Sequence, residues 1–254
     1  MSLAKGDRSL QEELDWATDR LEKSGFHVRS KVRLLVDPNL DIMGYANEED
    51  GIQHIVVAEW ALQSEMLGGL LFHELAHIYH TERQSPSHKF KLTNAIISEF
   101  SQREGLSERE TGYVVEGFNH LQNVIVDDIV FEAMEESERR QAQRFFSGWL
   151  TESPSGYPLV DSAALARNAF AMASMRRQNL LNEEEPELKQ MAARGRSLGK
   201  QLGKSAQEKY DAIEEFLVKA DAAWDDETYR TKLLYYLDLL VALLREKAQL
   251  EDLR

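Results

Sequence analysis

The stretch that most restricts this chain is Leu70-Leu-Phe-His73-Glu74-Leu-Ala-His77-Ile-Tyr-His80. No Gly or Pro interrupts it, and its apolar positions recur with helical spacing, so it reads as a largely buried helix over about residues 64–81. Burying His73, Glu74 and His77 among leucines costs free energy unless the polar groups have partners. Two histidines four apart stand one above the other on a helix, where their imidazoles can share one metal ion. Glu74 then lies beside them, placed to take a proton from a metal-bound water. The plainer reading is an exposed helix that happens to carry two histidines.

Composition narrows the chemistry. The 254 residues include no Cys, so any metal must be held by His and carboxylates, and a reducing, cytoplasmic setting is expected. The formal net charge of −14 argues against nucleic acid as the main partner. No run of 18 apolar residues occurs, and the first residues carry no apolar signal segment, so neither a membrane partner nor secretion is expected.

Ahead of the motif, residues 7–24 read as an amphipathic helix with Leu10, Leu14, Ala17 and Leu21 on one face, capped by Asp7 or Ser9 and ended by Gly25. Strands are expected at about 27–36, 40–46 and 52–59, with Asp37-Pro-Asn39 and Asn47–Gly51 as turns. Beyond His80 the chain reads as helical: 89–103, 107–135, a piece near 145–150, 162–181, 186–221 and 226–253. Thr151–Pro158 is the clearest loop, and all five prolines fall at element boundaries. The fold class is therefore α+β, with a helix, a small sheet, the motif helix and a second ligand-bearing helix, followed by an all-helical half. The expected division is a domain at 1–150 and a helical extension at 151–254. Gly195, Gly199 and Gly203 recur every four residues among basic side chains, which reads as a frayed helix with a solvated basic face or as an arm for an acidic partner. The leucine-rich stretch 233–244 reads as core, with a homo-oligomer interface through the carboxy-terminal helices as the other option.

A zinc ion used for hydrolysis takes three protein ligands and a water. A third histidine close behind the motif would fall at position 83, which is Arg83. The third ligand is then expected from a later helix. Residues 117–132 are apolar almost all round, yet Glu116, His120, Asn123 and Asp127 fall within an arc of about 60°. Asp127 is the first choice, with Asp128, Glu99, Glu116 and His120 as alternatives. Asp128 also suits a ligand-orienting role.

The pairing of His73-Glu74-x-x-His77 with Asn119-His120-x-x-Asn123-x-x-x-Asp127-Asp128 resembles an uncharacterised group of archaeal proteins that carry HExxH and are read as metallopeptidases. The likeness spans about residues 28–132. More broadly the chain resembles zincin-fold peptidases, some of which have lost activity. Asn123 stands where Asp is expected in many members. The resemblance implies a zincin-like fold and favours Asp127 and Asp128.

The leading expectation is a zinc-dependent metallopeptidase acting on a peptide or protein, with His73, His77 and Asp127 on Zn²⁺, Glu74 as the base and His120 as an oxyanion or second-sphere group. The strand at 52–58 is expected to hold an extended substrate by edge pairing. Two further expectations are a zinc-binding protein without activity that serves as a helical interaction module, and a metal-free module with buried His–carboxylate pairs.

Overall fold

The computed structural model describes residues 9–182 and 184–251, with only the backbone described from 246 onward. The architecture is α+β, with one three-stranded sheet and nine α-helices among the described residues. Asp7, one of the two expected caps, lies outside those residues, as do Glu183 and the last residues of the expected final helix.

The chain divides into two compact units. The first comprises Met1–Ser85 and Val126–Ala142; the second comprises Pro86–Ile125 and Gln143–Arg254.

In the first unit, α1 (Leu10–Lys23) starts at a reciprocal cap: Ser9 Oγ accepts from the Glu12 amide and Glu12 accepts from the Ser9 amide. Leu14, Ala17 and Leu21 are its buried face. Three strands follow: β1 (Val32–Asp37), β2 (Gly44–Glu49) and β3 (Ile52–Ala58). The first two begin later than the pattern of side chains suggests, since residues 27–31 and 40–43 are not strand. Asp50 and Gly51, at φ 52° and 73°, make the two-residue turn of the β2–β3 hairpin. Strand order is β1-β3-β2, with β1 parallel and β2 antiparallel to β3.

That order corrects one expectation. β3 is hydrogen-bonded on both sides, so it has no edge to offer a peptide; β1 and β2 are the edges. Its residues are buried on both faces from Gln53 to Ala58, Gln53 and His54 included, as a central strand's are.

A 3₁₀ turn at Glu59–Gln63 leads into α2 (Leu67–Glu82), the motif helix. Gly44 brings β2 close to it: a Cβ there would stand 2.7 Å from the Val56 carbonyl oxygen and 3.1 Å from Leu70 Cδ2. Leu71, Phe72, Leu75, Ala76 and Ile78 join α1, β3 and the later apolar residues Val126, Ile129, Val130 and Ala133 in one apolar core. Phe72 and Trp16 rings lie 5.2 Å apart, and Arg20 covers both while bonding Glu138 and the Ala133 carbonyl.

The second unit is helical: α3 (Phe90–Glu104), α4 (Glu108–Ala133) up to Ile125, α5 (Glu136–Trp149) from Gln143, α6 (Pro158–Arg177), α7 (Pro186–Leu202), α8 (Lys204–Val218) and α9 (Asp226–Glu251). The single expected helix over 186–221 is two, parted at Gly203, whose φ of 109° no helix accommodates. Gly195 and Gly199 are buried contacts rather than parts of a frayed face; a Cβ on Gly195 would meet Met172 at 2.7 Å. The leucine-rich stretch supplies core: Leu233, Tyr236, Leu237, Leu240 and Leu243 are fully buried. Among the described residues, no helix is long and apolar enough to cross a membrane.

Candidate metal centre

The spacing of His73 and His77 stacks their side chains on one face of α2, as a helical i, i+4 pair requires. Their Nε2 atoms converge to 3.1 Å, with the rings nearly perpendicular and their centroids 4.7 Å apart. Both rings are half-buried. Two nitrogens this close can share a proton, one donating to the other. They can equally share a metal, because tetrahedral zinc with Zn–N near 2.0–2.1 Å sets its nitrogens about 3.3 Å apart.

Glu74 lies one residue on and is turned inward, at 6% exposure. Burial raises its pKa; the neighbouring His73 and a hydrogen bond from the Ala46 amide of β2 act in the opposite direction. The close approach of β2 at Gly44 is what puts that amide within reach.

Asp127, on the part of α4 that belongs to the first unit, is 5% exposed. Its Oδ1 stands 3.6 Å from His73 Nδ1. It therefore approaches the ring nitrogen opposite the one that converges with His77. A carboxylate in that position orients an imidazole and favours the tautomer whose Nε2 lone pair is available. Among the described residues, no group of three or more His, Asp or Glu is placed to hold a metal ion. The two imidazoles fit a metal's nitrogen donors, while the expected third donor is not brought to the same point.

The remaining sequence candidates are distributed elsewhere. Asp128 acts on His80, whose pKa burial pushes down to about 4 against the opposing pull of that carboxylate. Glu99 belongs to the second unit and is ion-paired with Arg230. Glu116, His120 and Asn123 also belong to the second unit, where they line a cavity built from that unit's residues alone. His120 stacks on Phe170 at 4.9 Å with the planes 7° apart, and burial with the nearby Arg167 charge holds its pKa at about 4. The polar stripe of α4 thus serves two places: Asp127 meets the motif histidine, and the earlier residues face the cavity.

Two features of the site escaped the sequence reading. The Ala46 amide leaves no mark in side-chain patterns. His80, bonded through Nδ1 to Ser85 Oγ at 3.0 Å, was visible only as a third histidine on an apolar helix.

The chain matches no curated protein and no solved structure. Residues 11–197 match the model of a family of unknown function, DUF5781, and since that match covers more than half of the chain, the protein belongs to this family.

Proposed function

We propose that this protein is a zinc-dependent hydrolase of peptide bonds, with a zincin-like site on α2. The observation that carries the reading is the 3.1 Å convergence of His73 and His77 Nε2 beside a buried glutamate. Bound there, zinc would lower the pKa of a water and polarise the scissile carbonyl. Glu74 takes the water's proton and delivers it to the leaving amine. Its burial supports the role, since desolvation raises the carboxyl's pKa and so makes the carboxylate a stronger base. Asp127 fixes the ring of His73 through Nδ1. An extended substrate would pair with β2, the edge strand whose Ala46 amide already reaches Glu74.

The test is metal content of protein purified without chelator or nickel resin, read together with cleavage of a fluorogenic peptide library. Zinc bound by the parent and lost from His73→Ala and His77→Ala supports the site. Glu74→Gln should keep the metal and lose about 10²–10⁴ of the rate. Equal zinc in the histidine variants, or a parental rate in Glu74→Gln, overturns the proposal. Zinc binding with no cleavage of any peptide would identify a zinc protein without this activity.

A further inference from the structure

The second unit contains a cavity of about 580 Å³, within the size range of small-molecule sites. One wall is a face of α4 carrying Glu116, Asn119, His120 and Asn123; α6 contributes Arg167 and Phe170. Trp149 and Leu150, from the end of α5, supply apolar surface.

Its polar groups are unusually unengaged. Among the described residues, the Arg167 guanidinium makes one hydrogen bond, to Thr151 Oγ1 at 3.3 Å, and its buried Nε has no partner. No carboxylate among the described residues pairs with it. His120 is 6% exposed, and its Nδ1 is also buried without a hydrogen bond among the described residues. Glu116, on the same wall, has no ion pair among the described residues, so two opposite charges face one cavity without joining each other. Leaving a half-buried guanidinium without a counter-ion is costly, and a ligand that supplies one removes the cost.

Phosphate is a poor match, because a dianion would meet Glu116. A ligand with one negative and one positive group answers both charges. We propose that this cavity binds a free α-amino acid with an apolar or aromatic side chain, its carboxylate on Arg167 and its ammonium on Glu116. Asn119 and Asn123 offer amide donors and acceptors beside the zwitterion, and Trp149 and Phe170 line the space for the side chain. The neutral state of His120 fits this arrangement, since a second cation would compete with the ammonium.

Isothermal titration of the full chain with L-phenylalanine, L-leucine, 3-phenylpropanoate, phenethylamine and inorganic phosphate tests the proposal. Saturable binding of the amino acids, at least tenfold tighter than either one-charge analogue, is expected. Glu116→Gln, at an exposed position where folding should persist, should weaken L-phenylalanine about tenfold and leave 3-phenylpropanoate unchanged. Arg167→Gln should weaken both, with circular dichroism confirming the fold. No amino-acid binding, binding of phosphate alone, or equal loss of both ligands in Glu116→Gln overturns the assignment. Zinc content and peptide cleavage are read separately, so failure here leaves the α2 site untouched.

Discussion

Asp127 Oδ1 approaches His73 at Nδ1, 3.6 Å away, while His73 Nε2 is the atom that meets His77. The carboxylate and the second imidazole therefore act on opposite nitrogens of one ring. If Asp127 orients His73, Asp127→Asn should weaken zinc binding about 10–100-fold without abolishing it. Competition against a chromogenic chelator measures this. Complete loss, equal to that in His77→Ala, would instead place Asp127 in the ligand set.

His120 makes stability depend on pH. Its imidazole titrates at about 4 in the folded protein and near 6.5 when unfolded. Above pH 6.5 neither state holds the proton and stability is complete. As pH falls from 6.5 to 4 the unfolded chain takes up a proton that the fold refuses, so stability is progressively lost, by about 3 kcal/mol at the limit. Denaturant melts at pH 7 and 4.5 should show that decline, reduced in His120→Leu. The variant should retain some slope, because His80 is also held at about 4.

Two glycines on α4 should respond in opposite senses. A Cβ at Gly117 would run into Leu240 Cδ1, a fully buried side chain with little room to move. Gly112 has nothing within 4 Å of the same atom. Gly112→Ala should stabilise by up to about 1 kcal/mol through helix propensity. Gly117→Ala should lose about 1–2 kcal/mol net, the overpacking outweighing that gain. Urea melts of the two variants give the comparison directly.

Arg176 is ion-paired with Glu214, which is buried, whereas Arg176 is partly exposed. Arg176→Met leaves the carboxylate without its counter-charge and should cost about 2–3 kcal/mol. The double variant Arg176→Met/Glu214→Leu should recover most of that loss, since the pair's attraction is largely offset by its desolvation. Thermal melts of the three proteins, arranged as a double-mutant cycle, check both statements.

Local patterns carried most of the element order. α1 follows from its periodicity and its Ser9 cap, and β3 and α2 from their apolar patterns, whereas α6 runs about four residues ahead of the expected 162–181; the prolines mark boundaries because Pro186 and Pro158 occupy first helical turns. The His73–His77 pair was equally legible, since four-residue spacing on a helix determines which side chains meet whatever the surroundings. Arg167 carries a visible signal: it stands with Asn168 inside the run Ala163–Met175, which is otherwise small or apolar apart from Ser174.

Only the tertiary structure decided which strand is central, how the stripe on α4 is shared and which nitrogen of His73 Asp127 addresses. Strand order depends on hydrogen bonds between segments distant in sequence, so no period within β3 distinguishes a central strand from an edge. A stripe on one helix face records that its residues point the same way, not what each one meets. From sequence alone this is a Cys-free, acidic α+β chain with two histidines and a glutamate on a buried helix; their partners arise from packing between elements, which no local pattern encodes.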